Sequence, residues 1–179
     1  MPTATQIADL RNALGKLFPS GKYSNDHVDN LVTILTNNNE ETIARSTSVT
    51  TFNNDGTLAD IGIETASLPI NGVYDVEVFI RVASASATPG AEIKFVAPAG
   101  ASFAWDLIRP AETAAAAEFG IGDTGSFATV AGTVIVVAKG LLTVGATAGT
   151  LKVQGAQGTP TVENTDYAIN SYMVLTRIA

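Results

Sequence analysis

The sequence of 179 residues has no cysteine, a single histidine, and few charged residues, which make up only 15% of it. The absence of cysteine excludes a disulfide framework, thiolate catalysis and metal sites that use Cys ligands. No apolar run approaches the roughly 18 residues of a membrane-spanning helix. The first residues, MPTATQIADL, have neither a basic segment nor a long apolar core. We therefore expect no membrane span and no secretory signal peptide.

Positive charge is scarce: 10 Lys and Arg stand against 17 Asp and Glu, which gives a net charge of −7. A nucleic-acid surface needs a basic patch to bind phosphates, so we expect no nucleic-acid partner. The charged fraction also lies well below the ~25% of typical domains, and the mean hydropathy is +0.24. Such a surface predicts coverage in an assembly; the alternative is a monomer with a bland surface.

Residues 1–40 are predicted to form an N-terminal helical arm. Apolar residues in 3–18 recur at i, i+3, i+7 and i+10, the spacing of an amphipathic helix. A second helix is predicted over 26–36, where Asp26 can act as the N-cap. The apolar faces of the two helices, which are our candidate partner or oligomer interface, consist of Ile7, Leu10, Leu14 and Leu17, and of Val28, Leu31 and Leu35.

The arm has three possible uses. It can pack on the rest of the chain as a helical hairpin, or it can insert its apolar stripe into a partner or form a short seam around a symmetry axis. A DNA-binding helix-turn-helix is disfavoured, because the second helix carries Asp26 and Asp29 where a DNA reader needs Arg, Lys or Gln.

Residues 41–179 are predicted to form an antiparallel β-sandwich or jelly roll of about eight strands, because short apolar runs alternate with Gly, Pro and Asn turns. The Asn-Asn-Asp-Gly run at 53–56 suggests a hairpin. Residues 111–119 are read either as a short helix or as a loop. Strand-like segments occur at 42–52, 73–82, 92–97, 102–108, 127–138, 151–154 and 172–178.

Three of these segments predict which side chains are buried. In 73–82 apolar and polar residues alternate, with Phe79 as an exception on the polar face. The unbroken apolar run 134–138 predicts a strand buried on both faces. The predicted core consists of Tyr74, Val76, Val78, Ile80, Val134, Val136, Leu151, Val153, Tyr172 and Val174.

The C-terminal stretch KGLLTVGATAGTLKVQGAQ, followed by SYMVLTRIA, resembles the end of a β-rich domain of tailed-bacteriophage virion proteins. In that domain a strand of the form hKGhhhhGxxAGThxhxhAQ precedes a last strand SYhxhxRhx, where h is apolar. Gly155 departs from the pattern, since the family usually has a large aromatic residue there. The resemblance extends loosely to about residue 46. The matching residues are Lys139, Gly140, Gly145, Ala148, Gly149, Thr150, Leu151, Ala156, Gln157, Ser171, Tyr172, Arg177 and Ile178.

The resemblance implies a structural protein of the virion. The first hypothesis is a capsid decoration (cement) protein that binds the major capsid protein on the shell exterior; similar decoration proteins usually sit as trimers at symmetry axes. The second is a tail- or head-fibre module that binds host carbohydrate. Its aromatic platforms would be Trp105 or Tyr167. The sequence has no fibrous shaft repeat, which favours the capsid.

Catalytic and metal-binding patterns are weak. The run Gly120–Gly125 contains an Asp-Thr-Gly triplet, but it lacks the helix and Lys of a phosphate loop and the second lobe of an aspartic protease. Asp75 and Glu77 share one strand face, and an exposed face explains them better than a glycosidase pair. His27 lies beside Asp26 and Asp29, but the sequence supplies no further ligand or nucleophile, so a solvent-facing helix residue explains it better. We therefore expect no enzyme activity, cofactor or metal; the loop carboxylates considered for calcium are Asp55, Asp60, Asp123 and Asp166.

Overall fold

The computed structural model describes residues 41–108 and 118–178, together with position 12. In 41–108 and 118–178 the chain forms twelve β-strands and no helix. The strands are β1 (Glu41–Arg45), β2 (Thr50–Asn53), β3 (Ala59–Glu64), β4 (Val73–Ser84), β5 (Ala91–Val96), β6 (Ser102–Ile108), β7 (Glu118–Phe119), β8 (Thr124–Phe127), β9 (Gly132–Thr143), β10 (Lys152–Ala156), β11 (Asn164–Tyr167) and β12 (Tyr172–Arg177).

The strands make two sheets, and every pairing between them is antiparallel. The larger sheet has the order β1-β12-β4-β9-β6-β7, and β11 pairs with both β2 and β4 beside it. The smaller sheet has the order β3-β10-β5-β8. The prediction of a mainly antiparallel β domain is therefore confirmed. The predicted number of about eight strands was too low, because strands of two to four residues are too short to show a clear alternation of apolar and polar residues.

The core is formed by the inward side chains of both sheets. Alternate residues of β4, from Tyr74 to Val82, are buried, and so are Ile93 and Phe95 of β5. The ring of Phe95 lies 5.0 Å from the ring of Phe103 and 4.8 Å from the ring of Trp105, both edge-to-face, and these contacts join the two sheets. Each such aromatic pair contributes about 0.5–1.5 kcal/mol beyond the area it buries.

The strand predicted over 127–138 is divided between two sheets. Its first residue, Phe127, ends β8 in the smaller sheet, and β9 begins at Gly132 in the larger one. The prediction that 134–138 is buried on both faces was wrong. Val136 and Ala138 are buried, whereas the side chain of Ile135 is 48% exposed. Only the inner face of β9 meets the smaller sheet, so its outer face stays uncovered by described residues.

The turn at 53–56 does not close a hairpin. Asn54 has a positive φ of 52°, as a turn requires, but β2 pairs with β11 while β3 pairs with β10 in the other sheet. The turn therefore carries the chain from one sheet to the other. The amide of Asn54 donates to the carbonyl oxygen of Thr161 at 2.6 Å, which fixes the crossing.

The predicted helical arm, the domain boundary at residue 40 and residues 111–117 of the segment predicted as a short helix or loop lie outside the described residues. They remain predictions. The end of that last segment, Glu118–Phe119, is neither helix nor loop, because it forms β7. Within 41–108 and 118–178 no helix has the length and apolar character needed to cross a bilayer.

Candidate functional site

The outer face of the larger sheet carries a row of apolar side chains that crosses four strands. In a strand, alternate side chains point to the same face, so register decides which of them become neighbours. Tyr172 of β12 pairs with Phe79 of β4, Phe79 pairs with Val137 of β9, and Val137 pairs with Ile108 of β6. We call Tyr172, Phe79, Val137 and Ile108 the apolar row.

An aromatic pair forms one end of the apolar row. The rings of Phe79 and Tyr172 are stacked, with centroids 4.8 Å apart and planes 23° from parallel. Both side chains are half-buried. A cross-strand aromatic pair contributes about 0.2–1 kcal/mol to the sheet, yet this pair presents its apolar surface outward. The predicted placement of Tyr172 and Val174 in the core was therefore wrong; Met173 and Leu175 are the buried residues of β12.

Further apolar side chains extend the row into a patch. Ile43 on β1 is 63% exposed, Leu141 on β9 is 50% exposed, and Ile108 at the end of the row is 49% exposed. Single exposed apolar residues are ordinary on protein surfaces, but a contiguous patch rimmed by polar groups marks an interaction site. We call this patch the outer apolar face; it consists of Ile43, Phe79, Ile108, Ile135, Val137, Leu141, Tyr172 and Val174.

Charged side chains also lie within this sheet face, because Arg81 of β4 is the register partner of Ile135, Glu77 is that of Lys139 and Asp75 is that of Leu141. Lys139 and Glu77 form an ion pair at 2.5 Å, and the hydrogen bond and negative charge of Glu77 raise the pKa of Lys139. Arg45 on β1 is the register partner of Tyr172, at one end of the row. Asp106 on β6 is the register partner of Lys139 near the other end. Among the described residues Arg45 and Asp106 form no ion pair.

Ala156 and Gln157, which belong to the resemblance, are part of a buried polar network at the end of β10. Gln157 is almost fully buried. Its side-chain oxygen accepts hydrogen bonds from the amides of Asp55 and Thr161 at 3.1 and 3.2 Å. Its side-chain nitrogen donates to the carbonyl oxygen of Glu163 at 2.5 Å. These three hydrogen bonds hold the backbone at Asp55, Thr161 and Glu163 in place, so Gln157 has a structural role.

The carboxylates considered for chemistry do not converge. Asp123 accepts a hydrogen bond from the amide of Gly120 at 2.7 Å and closes the turn between β7 and β8. Asp166 accepts from the hydroxyl of Thr51 at 2.6 Å. Asp55 accepts from the amide of Thr57 at 2.8 Å, and this bond lowers the pKa of Asp55. In the described part of the chain no three His, Cys, Asp or Glu residues form a group that could hold a metal ion.

Asp75 and Glu77 point outward from β4, as their strand spacing predicted. Glu77 is engaged with Lys139, which is the arrangement of an exposed ion pair. The two aromatic residues suggested as sugar platforms are both in the core, since Trp105 and Tyr167 are each 1% exposed. Trp105 and Tyr167 could not be distinguished from exposed aromatic residues by sequence, because each stands next to a polar residue.

The predicted interface residues on the arm and His27 lie outside the described residues. The structure therefore does not place Ile7, Leu10, Leu14, Leu17, Val28, Leu31 or Leu35. The outer apolar face was missed as a site in the sequence. Its signal was present at Phe79, an apolar residue on an otherwise polar strand face, and in the unbroken run 134–138.

Comparisons with known proteins leave the family open. No protein-family model and no curated protein matches the chain. Among solved structures, the chain is similar to the tripod (BppUct-A-L) from the baseplate of bacteriophage Tuc2009, at 12% sequence identity over 89% of this chain and 71% of that chain. The TM-score is 0.37, a level of likeness that does not establish a common fold.

Proposed function

We propose that the chain is a structural protein of a tailed-phage virion that decorates the exterior of the capsid as an oligomer and stabilises the shell. The observation that carries this proposal is the outer apolar face, which requires a macromolecular partner to be covered. The sequence resemblance supports the same proposal. Its residues lie in strands of both sheets, with Lys139 and Gly140 in β9, Ala156 in β10 and Tyr172 in β12.

We further propose that the domain is a jelly roll, with β2, β6, β7 and β11 as additions. If β1, β3, β4, β5, β8, β9, β10 and β12 are numbered one to eight, the pairs β1·β12, β3·β10, β4·β9 and β5·β8 nest as first with eighth, second with seventh, third with sixth and fourth with fifth. A long hairpin rolled into two sheets has this pairing. Jelly rolls are common in viral capsid and lectin domains, and this analogy of fold supports a virion role.

The proposed partners are the major capsid protein and further copies of this chain, in a homotrimer. We propose that the apolar stripes of the arm engage the shell while the β domain projects from it. This leaves the outer apolar face available for contacts between copies. No catalytic role, cofactor, nucleic acid or membrane forms part of the proposal.

The alternative is a receptor-binding module of a tail or head fibre that recognises host surface carbohydrate. Jelly rolls also occur in lectins, so the fold is compatible with it. However, the burial of Trp105 and Tyr167 removes the two aromatic platforms on which this alternative depended. It would need another sugar-binding surface, and no observation on the described residues favours one.

The test is a binding assay on heads of the encoding phage that were assembled without this protein. Purified protein is mixed with such heads and sedimented, and the same assay is run on isolated tails and on host cells. The proposal expects saturable binding to heads and a higher temperature of head disruption. Binding to host cells or tails, with none to heads, would contradict capsid decoration and favour the receptor-binding alternative.

A further inference from the structure

We infer that one end of the β domain is the surface by which this domain rests on the phage shell. This end is formed by the loops 65–72, 97–101 and 144–151, and we call it the three-loop end. The partner is an uncharged region of the shell surface. The inference deepens the proposed function and rests on it, because it names the part of the β domain that contacts the major capsid protein.

Strand register brings the three loops together. In the larger sheet Ser102 pairs with Thr143, and Thr143 pairs with Val73. These are the residues at which β6 begins, β9 ends and β4 begins. In the smaller sheet the last residues of β3 and β5 both pair with the first residue of β10. Each of the three loops therefore passes from one sheet to the other at the same end of the domain.

The loops of the three-loop end contain no Asp, Glu, Lys, Arg or His. Charged residues are mostly exposed in proteins, so surface loops ordinarily carry some of them. Depletion of charged residues is the compositional feature that distinguishes the core of an interface from the rest of a protein surface. The exposed side chains here are apolar or small: Ile70 is 52% exposed, and Ala99, Ala146 and Ala148 are exposed as well. A partner can therefore cover these loops without desolvating a charge on them.

The charges nearest to the loops on the smaller sheet are already paired. Lys152, the first residue of β10, forms ion pairs with Glu64 at 3.2 Å and with Asp60 at 3.7 Å. All three side chains are partly exposed to solvent. They lie where the rim of an interface would be, and a rim tolerates polar and charged groups.

Backbone contacts hold the loops in one arrangement. The amide of Leu68 donates to the carbonyl oxygen of Gly149 at 2.7 Å, and the amide of Gly149 donates to the carbonyl oxygen of Leu68 at 3.3 Å. A Cβ atom added to Gly149 would lie 3.2 Å from two side-chain atoms of Pro98, so the loop 97–101 packs closely on the same glycine. A surface that is fixed before binding loses little conformational entropy when it binds.

The predicted arm is joined to the β domain close to the three-loop end. Glu41, the first residue of β1, pairs with Thr176, and Thr176 pairs with Asp75. Asp75 is two residues from Val73, where β4 begins, whereas the other end of β4, Ser84, is about 30 Å away at ~3.3 Å per residue. An arm that engages the shell is therefore attached to the β domain near the three-loop end.

The opposite end of the domain fits the shell less well. Its loops are 54–58, 85–90, 128–131 and 157–163. They carry two carboxylates, Asp55 and Glu163, and no Lys or Arg that could neutralise them. A partner surface would have to desolvate these carboxylates or supply charges for them. We therefore expect the opposite end to face away from the shell.

The first experiment repeats the sedimentation assay with phage heads, using the full-length wild type and Ala99→Glu combined with Ala146→Glu. The matched control is Ala85→Glu combined with Ala87→Glu, which adds the same charge at the opposite end. All four alanines are exposed, so the fold should tolerate the substitutions, and far-ultraviolet circular dichroism checks that it does. We expect the first pair to lose about tenfold or more in affinity for heads, because contact would desolvate its carboxylates. The control should bind like the wild type.

The second experiment distinguishes an uncharged partner surface from a charged one. Ala99→Lys combined with Ala146→Lys places the opposite charge at the same two positions. Desolvation is costly for a charge of either sign, so this pair should also bind heads more weakly than the wild type. Tighter binding by the lysine pair would show that the partner surface is acidic, and it would overturn the inference.

The third experiment needs no variant, since it measures hydrogen exchange in the wild-type protein, free and bound to heads. We expect slower exchange on heads in the loop 144–151 and unchanged exchange in the loop 157–163. The reverse pattern would overturn the inference. A wild type that does not bind heads would overturn the proposed function and this inference with it. Wild-type binding that the Ala99→Glu and Ala146→Glu pair shares would overturn the inference alone.

Discussion

The ring of Tyr167 occupies the space beside Gly155. A Cβ atom placed on Gly155 would lie 2.6 Å from Cζ of Tyr167, far inside van der Waals contact. The virion domains that the sequence resembles usually carry a large aromatic residue at the position of Gly155. In this chain the aromatic ring comes instead from β11, on the neighbouring sheet, and the glycine leaves room for it.

Gly155→Ala should therefore destabilise the domain. The new methyl group meets a ring that is packed on all sides, and such overpacking costs about 1–3 kcal/mol. The measurement is the urea midpoint of unfolding. Gly158→Ala is the matched control, since its added Cβ would have its nearest neighbours at an ordinary 3.5 Å. Equal midpoints for the two variants would show that the ring can move aside.

Tyr167→Phe should lower stability by about 1–3 kcal/mol, the usual cost of leaving a buried polar group without its partner. The hydroxyl accepts a hydrogen bond from the amide of Ala156 at 3.2 Å. It also lies 2.5 Å from the carbonyl oxygen of Glu92 and 2.9 Å from that of Ala156, to which it can donate. One hydroxyl thus links β10 and β5. A variant as stable as the wild type would show that these backbone groups are satisfied without it.

The stability of the wild type should fall as the pH rises above about 10, the usual pKa of tyrosine. Burial raises the pKa of Tyr167 in the folded state. Above pH ~10 the unfolded chain loses this proton while the folded chain keeps it, so alkali favours unfolding. Tyr167→Phe removes this part of the effect, and urea midpoints on either side of pH ~10 should show a smaller loss for the variant than for the wild type. Identical losses would contradict the burial of this hydroxyl.

The fluorescence of Trp105 should be that of a buried tryptophan. It is the only tryptophan in the sequence, its indole nitrogen donates to the carbonyl oxygen of Gly120 at 3.1 Å, and its ring stacks on Phe119 with centroids 4.6 Å apart. We expect blue-shifted emission that iodide quenches weakly until the protein is unfolded. Host oligosaccharides should leave this emission unchanged. Strong quenching of the native protein, or a saturable shift with sugar, would favour the receptor-binding alternative.

Leu10→Asp combined with Leu14→Asp should release the protein from phage heads without unfolding the β domain. The two changes place carboxylates in the predicted apolar stripe of the arm, where contact with a partner would have to desolvate them. Sedimentation with heads measures the release, and Trp105 emission measures the fold. Wild-type binding should also persist at moderate salt, since screening weakens charge pairs more than apolar contacts. Undiminished binding by the double variant would contradict a docking role for the arm.

The sequence predicted those strands that have one apolar and one polar face. In β4 and β10 the alternation correctly placed Val76 and Val153 in the core. It failed for β9 and β12, because both faces of these strands carry apolar residues. Ile135 and Tyr172 are then indistinguishable from core residues by their pattern alone. Local pattern rules are expected to fail where a surface serves an interaction, and here the failures coincide with the outer apolar face.

Other features depend on pairings between distant parts of the chain. The turn after β2 has the local residues of a hairpin, but β2 pairs with β11, more than a hundred residues later. No local propensity reports such a partner. For the same reason the sequence did not predict the burial of Trp105 and Tyr167, because the packing of one sheet on the other determines it.

The nested pairing of strands has a consequence for how the chain folds during synthesis. β1 pairs with β12, so β1 cannot form its strand pair until β12 has left the ribosome. Of the four nested pairs, the innermost, β5 with β8, joins the closest segments and carries the smallest loop-closure cost. Contact order of this kind predicts slow folding from the inside outward. Until β12 arrives, the unpaired edge of β4 is open to strands of other nascent chains, which makes aggregation a risk at high expression levels.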